Sequence, residues 1–130
     1  MPILHVKISA KKSSALTKQI LEFLLEITER ILKKKWHLTA ITIDYVEQDC
    51  WMIGGKLLNE QNKNSFYFDI TITDETNTKE EKALYIKEAF AGFEKILGNL
   101  HEESYIYIQD VKAGAYGYGG KTQEYRFYNG

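Results

Sequence analysis

Apolar and polar positions alternate in two short stretches of the chain, and each stretch is followed by a helical pattern. The stretches "LHVKIS" and "FDITIT" have the period of two that indicates a half-buried strand. After the first, Ser13 or Ser14 can cap a helix whose apolar residues recur every three or four positions. These apolar residues are Leu16, Ile20, Leu24, Ile27 and Ile31.

The second helical pattern opens at Thr78 and Glu81, which have capping-box spacing, and ends at Gly98 and Asn99. Its predicted apolar face consists of Ala83, Ile86, Phe90, Phe93 and Leu97.

The segments Ala40–Gly55 and Tyr105–Gly120 align without a gap, so the offset between them is 65 residues. Trp51 then aligns with Tyr116, and both segments end in Gly-Gly. The glycine pairs favour a hairpin or bulge, since neither copy has the spacing of a phosphate-binding loop. We therefore predict an α+β fold of two pseudo-symmetric βαβ units, with a four-stranded mixed sheet and both helices on one face. A single domain is expected over residues 1–130, with repeats at about 2–60 and 65–125.

Composition narrows the range of functions. The chain is 44% hydrophobic and 13% aromatic, which is enough to build a core, and its formal net charge of -1 argues against a nucleic-acid partner. No apolar run is long enough for a membrane span, and the start has no leader pattern, so a cytoplasmic location is expected. The histidines His5, His37 and His101 show no metal-ligand spacing, and no nucleophilic Ser/His or Cys/His arrangement is evident.

Pro2 is the only proline among 130 residues. An initiator methionine is commonly removed when the next residue is small, which would leave Pro2 as an N-terminal secondary amine. A free α-amino group titrates near about 7.7–8.0, and burial lowers that pKa further. Such an amine can act as a general base near neutral pH. The alternative is that Pro2 only begins an edge strand, where its missing N–H is harmless.

The start "MPILHVKIS", the helix after it and "ITIDYVEQDCWMIGG" together resemble the tautomerase superfamily, in particular 4-oxalocrotonate tautomerase and macrophage migration inhibitory factor. The resemblance implies that Pro2 is a catalytic general base that moves a proton between carbon and oxygen of a keto–enol pair. It also implies a homotrimer, in which three sheets form a central barrel-like core, and chemistry that needs no cofactor or metal.

The same resemblance suggests positively charged residues for the site. Lys12 stands where the family has a carboxylate-binding arginine, and lysine keeps the charge but loses bidentate geometry. Lys35 falls beside the position of an active-site lysine, and Lys33 and Lys34 compete for that assignment.

Aromatic residues are implied as well. Trp51 matches an apolar wall of the site, and Tyr105 matches a tyrosine contributed across a subunit boundary. Tyr107 stands where the migration inhibitory factor has an asparagine, while Tyr116 and Tyr118 could line the same interface or simply pack.

Departures from the family pattern narrow the expected reaction. Ala40 occupies the position of a second arginine, and neither Arg30 nor Arg126 lies where dehalogenases and decarboxylases of the superfamily have theirs. The expected function is therefore an isomerase acting on the enol of a small α-keto acid, of the size of phenylpyruvate. Two alternatives stay open, a ferredoxin-like small-ligand regulatory module and a trimeric scaffold without efficient catalysis.

Overall fold

The computed structural model describes residues 1–129. Each half of the chain consists of a strand, a long helix, a second strand, a two-stranded hairpin and a short helix. The first half contains β1 (Ile3–Ile8), α1 (Ser14–Leu32), β2 (Ala40–Tyr45), β3 (Met52–Ile53), β4 (Lys56–Leu57) and α2 (Leu58–Gln61). The second half contains β5 (Phe66–Thr73), α3 (Lys79–Leu97), β6 (Tyr105–Val111), β7 (Gly117–Tyr118), β8 (Lys121–Thr122) and α4 (Gln123–Asn129).

The main sheet has the strand order β2-β1-β5-β6. Strands β1 and β2 are parallel, β1 and β5 antiparallel, and β5 and β6 parallel, which confirms the predicted mixed four-stranded sheet. Because β1 is a central strand, the interpretation of Pro2 as the start of an edge strand is wrong. The ferredoxin-like alternative is also wrong for the fold, because both strands of each βαβ unit are direct neighbours rather than split by another strand.

The core lies between one face of the sheet and the two long helices. The inward residues of β1 and β5 are fully buried or nearly so: Leu4, Val6, Ile8, Phe66, Phe68, Ile70 and Ile72. Helices α1 and α3 pack on this face, where Phe23 and Phe93 meet edge to face with ring centroids 6.0 Å apart. Each fully buried large apolar side chain stabilises the fold by about 1.5–3 kcal/mol. The opposite face is open and carries exposed tyrosines on β5 and β6.

The helix caps follow the sequence prediction. Ser13 caps α1 through its hydroxyl, which accepts from the backbone N of Leu16 at 3.3 Å. At the start of α3, Glu81 N donates to Thr78 Oγ1 at 3.1 Å while Thr78 N donates to Glu81 Oε1 at 2.8 Å. Both helix starts are therefore determined by local hydrogen bonds.

The predicted apolar face of α3 is only partly correct. Phe93 is buried, but Ala83 and Ile86 are exposed, and Tyr85 and Ala89 are buried instead. Tyr85 tolerates full burial because its hydroxyl lies 2.8 Å from that of Thr28 on α1, which satisfies the phenol. The buried residues of α3 thus recur at every fourth position and form one stripe along the helix. Packing against α1 determines which stripe is buried.

The two hairpins repeat each other in three dimensions. In β3–β4 the turn glycines Gly54 and Gly55 have φ of 65° and 80°, and Gly119 and Gly120 of β7–β8 have φ of 61° and 79°. These values lie in the left-handed region that glycine adopts at no steric cost, so the Gly-Gly pairs close hairpins as predicted. A single 3-10 turn precedes each hairpin, at residues 48–50 and 113–115.

Candidate active site

A pocket of about 440 Å³ opens at the N-terminal end of β1. Pro2 lies in its wall, and residues from the turn before β2 and from the β7 hairpin complete it. The lining residues are Met1, Pro2, Ile3, His37, Leu38, Thr39, Ala40, Tyr116, Gly117, Tyr118 and Gln123. The start of the chain therefore shares this pocket with residues that lie more than a hundred positions further along the sequence.

Pro2 is buried and held by the neighbouring strand. Its carbonyl oxygen accepts from the backbone N of Ala40 at 3.2 Å. The missing N–H of proline costs nothing here, because Pro2 precedes the first residue that pairs in the sheet. The nitrogen of Pro2 is thus placed rigidly beside the pocket.

The environment of the chain start disfavours positive charge. Burial, followed by the positive charge of Lys34, lowers the pKa of the Met1 amine to about 6. Burial also lowers the pKa of the Lys34 amine, whose Nζ donates to Thr76 Oγ1 at 2.7 Å. The Met1 amine is therefore mostly unprotonated at neutral pH.

Lys34 is the lysine of the run that acts on the chain start. Lys35 is exposed, and Lys33 Nζ donates to the carbonyl of Arg30 at 2.9 Å, which satisfies the end of α1. The sequence left these three lysines as competitors, and of them Lys34 is the one whose charge acts on the Met1 amine.

Hydrogen bonds connect Tyr116 to Lys34. The Tyr116 hydroxyl forms a short hydrogen bond with the hydroxyl of Thr73. The backbone carbonyl of Thr73 accepts from Thr76 Oγ1 at 2.6 Å, and this is the hydroxyl that accepts from Lys34. Burial raises the pKa of Tyr116, so the phenol in the pocket wall is neutral at physiological pH.

Lys12 lies far from Pro2 within the same chain. It follows the C-terminal end of β1 and lines a separate pocket with residues such as Tyr45 and Glu47. The six residues of β1 separate it from Pro2 by about 20 Å at roughly 3.3 Å per residue. The two residues therefore cannot hold one small ligand within a single chain.

Trp51 and Tyr105 share a different pocket, of about 240 Å³. It is the pseudo-symmetric counterpart of the Pro2 pocket, and Phe66 takes part in its wall near the position that corresponds to Pro2. Tyr107 lies outside both pockets, on the open face of the sheet, where it pairs in register with Asp69. Of the residues expected in the site, one chain brings together only Pro2 and Tyr116, with Tyr118 beside them.

Gln123 and the turn of residues 37–39 escaped the sequence reasoning. Gln123 begins α4 and lies just beyond the aligned segment that ends at Gly120. Extending the same offset by three residues would have paired it with Leu58 and revealed a polar residue in an apolar position. The turn carries no comparable signal, because only the sheet brings it to Pro2.

In the part of the chain that the structure describes, no three His, Cys, Asp or Glu side chains are arranged to hold a metal ion. None of the helices over residues 1–129 is long and apolar enough to cross a membrane.

No protein-family model matches the sequence, and no curated protein matches it. Several solved structures have a similar fold. A fused 4-OT, described as a wild-type asymmetric trimer, superposes with a TM-score of 0.83 at 16% identity, covering 96% of this chain and 98% of that one. Pt0534 inactivated by 2-oxo-3-pentynoate gives 0.81 at 14% identity, with coverages of 94% and 97%. The macrophage migration inhibitory factor-like protein of Entamoeba histolytica gives 0.76 at 17% identity, with coverages of 93% and 97%.

These structures span nearly the whole chain, and their low sequence identity establishes similarity of fold. The chain therefore has the fold of these fused 4-OT and migration inhibitory factor-like structures, with two βαβ units in one chain. This agrees with the resemblance that the sequence motifs suggested.

Proposed function

We propose that the protein is a cofactor-independent tautomerase that interconverts the enol and keto forms of a small α-keto acid. The general base is the secondary amine of Pro2, exposed once Met1 has been removed. The observation that carries the proposal is the position of Pro2, which lies buried at the start of a central strand in the wall of a pocket. We expect the enzyme to act in the cytoplasm.

The chemistry needs only a proton shuttle. The nitrogen lone pair of Pro2 accepts the enol hydroxyl proton and returns a proton to the neighbouring carbon, so no electron is gained or lost. The lowered pKa of the neighbouring Met1 amine supports the role, because the same surroundings should keep a Pro2 amine unprotonated near neutral pH. The neutral phenol of Tyr116 can donate a hydrogen bond to the developing oxyanion.

The remaining site residues enter the proposal through a second chain. Lys12, Trp51, Tyr105 and Tyr107 lie away from Pro2 in their own chain, so they can act only on the pocket of a neighbouring protomer. The fused 4-OT structures are trimers, and we propose the same assembly for this chain. We propose that Lys34 takes the place expected for Lys35 near the amine, because Lys34 lowers the pKa of the Met1 amine.

The test is the conversion of phenylpyruvate enol to its keto form, followed by ultraviolet absorbance. Intact mass must first show the loss of one methionine. Pro2→Ala then replaces the rigid secondary amine with a mobile primary amine and should lower kcat/KM by about 10²-fold or more, the usual contribution of a positioned general base. Circular dichroism and molar mass of the variant should be unchanged.

Full activity in a preparation that retains Met1 would refute the proposal, because the Pro2 nitrogen is then a tertiary amide without a basic lone pair. Equal activity of Pro2→Ala and the unchanged protein would refute it as well. Absence of turnover in both, with an intact trimer, would favour the non-catalytic scaffold.

A further inference from the structure

Helices α4 and α2 hold the same place in the two repeats but differ where they contact their hairpins. The backbone N of Leu58 donates to the carbonyl of Trp51 at 2.9 Å, and that of Gln123 donates to the carbonyl of Tyr116 at 2.9 Å. The backbone position is therefore equivalent. Leu58 is fully buried, whereas Gln123 lines the Pro2 pocket.

The amide nitrogen of Gln123 is unsatisfied. Its Nε2 is buried and has no hydrogen-bond partner among residues 1–129. A buried donor without a partner destabilises a fold, and native structures rarely keep one without a reason. The first repeat shows that leucine serves the structural role at this position, so folding alone does not explain the glutamine.

Three residues further along, the helices differ again. Gln61 ties α2 to its hairpin through Nε2, which donates to the carbonyls of Ile53 at 2.9 Å and Lys56 at 3.0 Å. Arg126 makes the corresponding tie in α4, with Nη2 donating to the carbonyl of Tyr118 at 2.9 Å. A neutral amide thus suffices for the tie, and the second repeat uses a cation instead.

Arg126 also stacks on the pocket wall. Its guanidinium carbon lies 3.7 Å from the centroid of the Tyr118 ring, within the range of a cation–π contact, and Tyr118 lines the Pro2 pocket. Its Nε is buried and lacks a partner within the described chain. The guanidinium therefore fixes the ring and places a positive charge behind it.

The two pockets differ in the charges of the residues around them. No Asp or Glu of residues 1–129 lines the Pro2 pocket, and the positive groups Lys34 and Arg126 lie close to its walls. The counterpart pocket in the other repeat includes Glu103. Of these two pockets, the Pro2 pocket is therefore the one whose charges favour an anionic ligand.

We propose that the side chain of Gln123 rotates so that its unpartnered Nε2 faces the Pro2 pocket and binds the carboxylate of the substrate there, with Arg126 as a positioning residue behind Tyr118. The inference rests on the proposed tautomerase function and deepens it. Gln123 would contact the anion within its own chain, where Lys12 is too far from the pocket. It would also make α4, which lies outside the sequence motifs, contribute to substrate selectivity.

The test grafts the residues of the first repeat into the second. Gln123→Leu and Arg126→Gln reproduce Leu58 and Gln61, so both variants keep side chains that this architecture already accepts. For each, kcat/KM is measured with phenylpyruvate and with its methyl ester, which lacks the carboxylate charge. The ratio of acid to ester should fall about tenfold in Gln123→Leu, as for loss of a hydrogen bond to a charged group.

Arg126→Gln should raise KM for phenylpyruvate more than for the ester and change kcat little, because Pro2 itself is untouched. A purely structural role would change both substrates equally. Gln123→Glu, which places a like charge beside the carboxylate, should lower the acid-to-ester ratio further than leucine does. Glu124→Gln, on an exposed neighbour in the same helix, is the matched control and should keep the ratio of the unchanged protein.

An unchanged ratio in Gln123→Leu, with unfolding temperature preserved, would overturn the inference. If the unchanged protein turns over neither substrate, the proposed tautomerase function fails, but the carboxylate contact can still be tested. Calorimetry then measures the binding of phenylpyruvate to the unchanged protein and to Gln123→Leu. Weaker binding to Gln123→Leu supports the carboxylate contact, and equal binding overturns it.

Discussion

The backbone N of Ala40 donates to the carbonyl of Pro2 at 3.2 Å. This bond connects the chain start to β2 one residue ahead of Ile3, the first residue of β1 that pairs in the sheet. Ala40 contributes this backbone contact to Pro2 and brings no charged side chain to the pocket that both residues line. A residue fixed in this way has little freedom to move, and proton transfer requires such fixed placement.

The acid limb of the pH profile should report the amine in the pocket. Since burial and Lys34 lower the pKa of the Met1 amine to about 6, the same surroundings should lower the pKa of the Pro2 amine below that of a free terminus, so kcat/KM should fall on the acid side of neutral pH as the base becomes protonated. Lys34→Gln removes a charge that disfavours protonation, so the pKa rises and the limb moves to higher pH. The profile is measured by initial rates between pH 4 and 9.

Lys35→Gln is the matched comparison, because Lys35 is exposed and adjacent in sequence. A shift in Lys35→Gln together with none in Lys34→Gln would reverse the assignment made from the structure.

Covalent labelling should locate the reactive amine. Pt0534 is inactivated by 2-oxo-3-pentynoate. With this chain, we expect the Pro2 nitrogen to form a bond to the alkyne, while its N–H proton moves to the adjacent carbon. Intact mass should therefore rise by one reagent molecule, and peptide mapping should place the label on Pro2.

Cys50 is the main competitor for the reagent, because its thiol is exposed. The negative charge of Asp49 raises the pKa of this thiol, which lowers the thiolate fraction at neutral pH. A Cys50→Ser variant should be labelled as fast as the unchanged protein, and loss of labelling in it would assign the reaction to the thiol.

Assembly can be tested through the open face of the sheet. Tyr105 and Tyr107 are 61% and 55% exposed in the single chain, an unfavourable state for two large aromatic side chains on neighbouring pleats. Light scattering after size exclusion should give three times the 15.1 kDa mass of the chain. Tyr105→Asp should weaken the trimer and lower activity together, whereas a fully active monomer would contradict the shared site.

Gly92 allows the two long helices to approach each other. A Cβ at this position would lie 2.0 Å from the tip of the Phe23 ring, so Gly92→Ala should force the ring to move. Alanine favours the helix by about 1 kcal/mol, but overpacking typically costs about 1–3 kcal/mol, so a net loss of stability is expected. Urea unfolding measures the difference.

The double variant Gly92→Ala with Phe23→Leu separates the two effects. The smaller leucine should relieve the overlap, so the double variant should be more stable than additivity predicts. Additive free energies of unfolding would exclude contact with Phe23 as the cause.

Local patterns in the sequence determined most of the secondary structure. The alternation in "LHVKIS" and "FDITIT" identified the central strands, and the spacing of Thr78 and Glu81 identified the start of α3. These signals suffice because a strand face or a helix cap depends on residues within a few positions of each other. The offset of 65 residues likewise revealed the repeated architecture, since both halves meet the same backbone constraints.

The site depended on contacts that no local pattern encodes. The sequence alone singled out Pro2 as a candidate, but only the pairing order of the strands places Tyr116, Tyr118 and Gln123 around it and Lys12 at the other end of β1. The position of Lys34 near the chain start depends on how the chain turns after Lys33, the C-cap of α1, and the burial of Tyr85 in place of Ile86 depends on how α3 packs against α1. Such choices follow from the tertiary structure, because side chains distant in sequence compete for the same volume and the same hydrogen-bond partners.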